Sequence, residues 1–160
     1  MIVLPRRCLL VVGVLLAGCT PATVVLLPPT DASDRAEIVV FREPAVGARG
    51  MQMVFGADGS DYVVLDDGEY ARIYVQPSHY DFFVRSAQKD IPSRLALPVE
   101  RQVTKCLRAY ANPDNTLKAL FPPAYYAGST FLLEEVQCPA TGDLERSYSF
   151  VPVDYQSGQD

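Results

Sequence analysis

Beyond about residue 36 the chain alternates between short apolar runs and clusters of Gly, Asp, Asn and Pro, the pattern of β-strands joined by turns. The period of two is clearest over 70–75, where Ala71, Ile73 and Val75 share one face and Tyr70, Arg72 and Tyr74 the other. Over 80–84 it places Tyr80, Phe82 and Val84 on a common face. Further strands are expected over 37–41, 52–55, 62–65, 105–111 and 130–137, with a short one at 150–153. Asp58-Gly59 between 52–55 and 62–65 predicts a hairpin, because this dipeptide suits the tight turn that joins antiparallel strands. Gln76-Pro77-Ser78-His79 is expected to close a second hairpin, between 70–75 and 80–84. Short helices are expected over 116–120, stopped by Phe121-Pro122-Pro123, and over 143–147. About seven strands with turns between them predict an all-β fold, a single β-sandwich.

The first residues follow a different pattern. Arg6-Arg7 precede the apolar run 9–16, which closes on Leu16-Ala17-Gly18-Cys19. A basic start, a short apolar stretch and small residues before a cysteine read as a secretion signal. An ordinary signal with an incidental cysteine is one alternative. A signal anchor continuing through Val24-Val25-Leu26-Leu27 is another, but Thr20-Pro21 interrupts it short of the roughly 20 apolar residues a spanning helix needs. The twin-arginine route fits poorly, with Pro5 before the arginine pair and Cys8-Leu9-Leu10 after it. The expected division is therefore a signal over 1–18, an anchor and tether over 19–35, and a sandwich domain over 36–160. Within the tether, 24–27 is apolar enough to dock on the domain as an extra strand instead.

Leu16-Ala17-Gly18-Cys19 resembles the lipobox of bacterial lipoproteins. The resemblance implies diacylglycerol on the Cys19 thiol, cleavage before that residue and acylation (palmitate or a similar chain) of the new amine. Each buried methylene of such chains contributes about 0.8 kcal/mol, so several chains hold a protein at a membrane. Thr20, where an aspartate would retain an enteric-type lipoprotein in the inner membrane, implies the periplasmic leaflet of the outer membrane. The later strands resemble a family of small prokaryotic lipoproteins grouped as DUF2846. The resemblance rests on Val39-Val40-Phe41-Arg42, Val54-Phe55 with Asp58-Gly59, Gly68-Glu69-Tyr70, Pro77-Ser78-His79 and Lys105-Cys106-Leu107-Arg108-Ala109-Tyr110. Ser78 stands where that pattern would have glycine. Membership implies a lipid-anchored sandwich, similar in look to Ig-like and PEGA-type modules, with no assigned reaction.

Composition narrows the partners. Cleavage before Cys19 removes two of 14 basic residues and none of 19 acidic ones, leaving 142 residues at net charge −7. That balance argues against nucleic acid, whose phosphates require clustered Lys and Arg. With Cys8 removed and Cys19 lipidated, Cys106 and Cys138 remain for an oxidising compartment. A disulfide is expected between them, since antiparallel pairing of 105–111 with 130–137 brings the two ends together. A metal site would need further ligands, and a redox pair would need closer cysteines.

No catalytic constellation stands out, and neither metal nor cofactor is expected. Gly56–Val64 approximates one calcium β-roll nonapeptide, but that ion is shared between stacked repeats. Asp66-Asp67-Gly68-Glu69 lacks the alternating ligands of a calcium loop and reads as a solvated turn. His79, the sole histidine, has Ser78 and Asp81 near in sequence, yet no nucleophile motif surrounds it. The expectation is a non-enzymatic module bound to the membrane through Cys19 and touching an envelope protein. Its contact surface is expected at Tyr70, Arg72 and Tyr74, beside Tyr125 and Tyr126 of the 112–128 excursion. The alternative is a periplasmic small-ligand or glycan-binding lipoprotein that uses the tyrosines of 122–128, although such aromatics more often fill a core.

Overall fold

The computed structural model describes residues 27, 34–88, 90–114 and 128–155. It is an all-β sandwich of nine strands. In chain order these are β1 (Ala36–Arg42), β2 (Met53–Ala57), β3 (Ser60–Leu65), β4 (Glu69–Val75) and β5 (Ser78–Ser86). β6 (Ser93–Val99), β7 (Thr104–Ala111), β8 (Phe131–Val136) and β9 (Ser149–Phe150) complete the set. One sheet has the order β8-β7-β1-β4-β9 and the other β3-β2-β5-β6. The core lies between them. Ile38, Val40, Ala71, Ile73, Leu107 and Ala109 of the first sheet face Met53, Phe55, Val63, Leu65, Phe82 and Val84 of the second. Alternate residues of β1, β2, β4, β5 and β7 enter this layer, as the pleat requires.

β2 and β3 form the expected hairpin. Asp58 and Gly59 both take positive φ, 51° and 82°, the turn whose twist matches the flanking strands. The pairing shifts register between Phe55 and Gly56, and Gly56 is required there. A Cβ on it would lie 2.0 Å from the Ser60 carbonyl oxygen and 2.7 Å from Cζ of Phe83. Main chain cannot yield as a flexible side chain would. Gly56→Ala is therefore expected to lose stability at or beyond the upper end of the ~1–3 kcal/mol typical of overpacking, read by urea unfolding. Wild-type stability in that variant would show that the hairpin re-registers freely.

The second expected hairpin does not form. β4 pairs with β1 in one sheet and β5 with β2 in the other, so Gln76-Pro77 carries the chain across the sandwich. None of residues 76–79 has positive φ, so the tight turn of a two-residue hairpin is absent, and Ser78 and His79 belong to β5 itself. Alternation reports which face of a strand is buried. Both strands bury that face in the same core whichever sheet they join.

One of the nine strands, β6, has no counterpart among those expected. β6 carries Leu95, Leu97 and Val99 at period two, a signal masked by Pro98, and it lies at a sheet edge, where proline is tolerated. β9 covers only Ser149–Phe150 rather than 150–153, and it runs parallel to β4. β7 and β8 pair antiparallel as expected, with Cys106 opposite Val136. Cys106 and Cys138 sit at disulfide distance, S–S 2.13 Å and Cα–Cα 5.1 Å. β7 also pairs in parallel with β1, a long-range contact with no local sequence signature.

The helix expected over 143–147 spans Thr141–Ser147, and its Leu144 is buried on the outside of the five-stranded sheet. Leu27 is 3% exposed, packs in the main core and bridges Tyr155 in parallel. The helix expected over 116–120 lies outside the described residues.

Candidate interaction surface

The outer face of the five-stranded sheet is built from Glu37, Val39 and Phe41 of β1, Tyr70, Arg72 and Tyr74 of β4, and Thr104, Cys106 and Arg108 of β7, which the strand registers set side by side. The helix divides this face in two. On one half Leu144 closes over Val39, Phe41, Tyr70 and Cys106. The Tyr148 ring meets Phe41 at 5.2 Å and the Phe150 ring meets Tyr70 at 5.3 Å. Tyr70 is thereby only 4% exposed, which corrects its expected place on an open surface. The alternation over 70–75 is real, but the outward position of Tyr70 is roofed by a segment nearly 80 residues later in the chain.

The other half stays partly open. Arg72 and Glu37 pair at 3.1 Å, and the Thr104 hydroxyl donates to the second Glu37 oxygen at 3.0 Å. Glu37 helps to raise the Arg72 guanidinium pKa, overcoming the opposing effect of its own burial. Tyr74 is held from two sides. The Arg35 guanidinium lies 4.1 Å from its ring centroid, a cation–π contact, and the Tyr155 hydroxyl accepts from its backbone N–H at 2.8 Å. Burial outweighs the influence of that hydrogen bond and of Arg35, and pushes the Tyr155 hydroxyl pKa up, so Tyr155 is neutral at physiological pH. Arg35, Tyr74 and Arg72 thus form a supported row of cation, ring and cation. Arg35 was not singled out from sequence, because its place above Tyr74 depends on β1 and β4 being neighbours. Beyond the helix edge, Arg108 joins Glu134 and Glu43 and lies 5.2 Å from the Tyr110 ring centroid.

Arg42 ends β1 and points into the protein. It is fully buried, donating to the carbonyls of Ala48 (2.9 Å), Leu65 (3.0 Å) and Met51, with Asp67 at 3.6 Å and the Phe131 ring centroid at 4.7 Å. Burial lowers its pKa, while Asp67, Asp66 and Glu69 pull the other way, and an arginine so placed remains charged at neutral pH. Its Nε has no hydrogen-bond partner. This guanidinium ties three loop carbonyls together at one end of the sandwich and exposes nothing to solvent.

Of the remaining candidates, the carboxylates are committed to structure. His79 is exposed on β5 opposite Pro98, and Asp81, on the same face, is taken by Arg94 at 2.5 Å. Asp58 accepts from the Asp81 N–H at 3.0 Å. In the acidic turn, Glu69 accepts from the Asp66 N–H and Asp67 from the Ala45 N–H, at 2.6 and 2.9 Å. Among the described residues no group of three or more His, Cys, Asp or Glu side chains is placed to hold a metal, and no helix is long and apolar enough to cross a membrane. Cys19, Tyr125 and Tyr126 lie outside the described residues. No protein-family model matches the chain, and no curated protein matches it in sequence.

Proposed function

We propose that the chain is a lipid-anchored, non-enzymatic envelope protein, held through Cys19 at the periplasmic face of the outer membrane and acting by contact with another envelope protein. The observation that carries the contact is the row Arg35, Tyr74 and Arg72. Arginine and tyrosine dominate the energetics of protein interfaces, and a ring already covered by the Arg35 guanidinium, on a backbone tied to the Tyr155 hydroxyl, loses little freedom on binding. The location rests on Leu16-Ala17-Gly18-Cys19, and the resemblance to the small lipoprotein family belongs to the same proposal.

A photoreactive phenylalanine analogue at position 74, activated in intact cells, is expected to capture a discrete protein. Arg72→Ala should weaken that capture about tenfold or more, as truncation of an interface arginine does, while leaving the fold intact because Arg72 is partly exposed. Cys19→Ser should abolish capture by releasing the protein from the membrane. Undiminished capture in the Arg72 variant would remove this row as the contact. Membrane attachment with no captured protein would favour the glycan or small-ligand alternative.

A further inference from the structure

The three exposed large apolar side chains described in the structure are Val46 (86% exposed), Ile91 (57%) and Phe150 (54%). They come from three separate loops or edges, yet one end of the sandwich holds them all. Arg42 of β1 pairs with Ala109 near the end of β7, and Phe41 with Tyr70 at the start of β4. In the other sheet Met53 pairs with both Leu65 and Ser86. The Arg42 guanidinium, bonded to the Met51 and Leu65 carbonyls, makes these the same end of both sheets. Val46 lies in the turn after β1 and Ile91 in the loop after β5, while Phe150 is opposite Tyr70. At the opposite end no large apolar side chain is exposed among the described residues, and the exposed positions include Asp58, Gln76, Glu100 and Arg101, whereas Arg49, Gln52, Asp66 and Gln88 are exposed around the apolar three.

The docking of Leu27 shows which way this apolar end faces. Its N–H reaches the Asp154 carbonyl at 3.4 Å, and its bridge to Tyr155 is parallel. The segment from Ser149 to Tyr155 leaves β9, which is itself parallel to β4, so at Leu27 the chain is directed from the apolar end toward the polar one. The N-terminal side of Leu27 therefore faces Phe150. Cys19 is eight residues earlier, a reach of at most about 27 Å. That is comparable to the ~20 Å of extended chain from Tyr155 back to Ser149.

We propose that Val46, Ile91 and Phe150 form the membrane-facing end of the domain, seated on the lipid surface in which Cys19 is anchored, with the docked Leu27 fixing that orientation. The proposal rests on the lipid-anchor reading above. Three side chains are too few to bind a bilayer unaided, so their effect is orientation, with the acyl chains supplying retention. Asp66, Asp67 and Glu69 outnumber the exposed Arg49 at the same end and disfavour anionic headgroups, so the surface they fit is zwitterionic. The Arg35, Tyr74 and Arg72 row then looks away from the lipid, available to a partner.

The test uses the mature lipidated protein, beginning at Cys19, in phosphatidylcholine vesicles containing a lipid-borne fluorescence quencher. A thiol-reactive fluorophore is placed at Val46→Cys, Ile91→Cys or Gln76→Cys, each the one free thiol when Cys106–Cys138 is oxidised and Cys19 acylated. Labels at 46 and 91 are expected to be quenched several-fold more than the label at 76. Leu27→Ala, and more completely Leu27→Asp, should erase that difference while the protein stays on the vesicles. Added anionic lipid should reduce it. Equal quenching at both ends, stronger quenching at 76, or capture of a protein at position 46 without lipid quenching would overturn the proposal. Failure of the lipidated protein to associate with vesicles, or equal association of Cys19→Ser, would instead overturn the anchor reading on which it rests.

Discussion

Replacing Arg42 with alanine is expected to cost about 3–5 kcal/mol of folding stability, the range for removing one partner from a buried charged network. The Ala48, Met51 and Leu65 carbonyls would lose their donor, Asp67 would lose its cation, and a space would open beneath Phe131. Each buried polar group left without a partner carries a desolvation penalty of about 1–3 kcal/mol, partly relieved where water can enter. With a urea dependence of roughly 1–3 kcal/mol per molar, the unfolding midpoint should fall by more than 1 M. Arg42→Met separates packing from hydrogen bonding, since it retains an apolar stem and offers no donors. It is expected to fall between wild type and alanine. If methionine matched wild type, the guanidinium would contribute specificity without net stability, as some buried ion pairs do. Arg42→Lys should also fall short, because one ammonium group cannot reproduce a planar fork spread over three carbonyls.

The second large effect is expected from the disulfide. Cys106→Ala with Cys138→Ala should lose about 3–4 kcal/mol, the loop-closure entropy for cysteines 32 residues apart. Urea unfolding of the oxidised and reduced wild-type protein, beside the double variant, measures it. Reduced and double-variant proteins should agree if the link acts mainly on the unfolded chain. A loss below about 1 kcal/mol would mean that β7 and β8 already stay associated when the rest unfolds. Cys106 is buried under Leu144 whereas Cys138 is exposed, so a reductant should attack the Cys138 sulfur. Folding stabilities of small domains are about 5–15 kcal/mol, so either change removes a large fraction.

Taken together, the proposed surfaces divide the domain by direction. Val46, Ile91 and Phe150 belong to the proposed lipid side, while Leu27, docked beside Tyr155, and the cation–ring row lie toward the other end. The ion pairs along the strands serve a different purpose. Arg85 of β5 reaches Asp61 of β3 at 2.5 Å across the intervening β2, shielding Val54, which is fully buried on an outer face. The pair thus covers part of the outer face of an apolar strand in the middle of this sheet.

What the sequence determined by itself was local. Alternation at Ala71, Ile73 and Val75 identified a buried face, Asp58-Gly59 identified a turn, and the cysteine spacing identified strands that pair antiparallel. Each depends on residues a few positions apart or on one simple loop closure. Only the tertiary structure decided which sheet each strand joins. β4 and β5 look like a hairpin because each has a face for the same core, and the alternation says nothing about hydrogen-bonded neighbours. It likewise decided that Tyr70 is roofed by Leu144 and Phe150, that Arg35 stacks on Tyr74, and that Arg42 turns inward to tie the β1–β2 segment to the end of β3. Those outcomes come from the parallel β1–β7 pairing and the return of the C-terminal segment to β4, contacts between residues far apart in the chain. Period and propensity describe a strand's faces, whereas its neighbours are selected by the packing of the whole core.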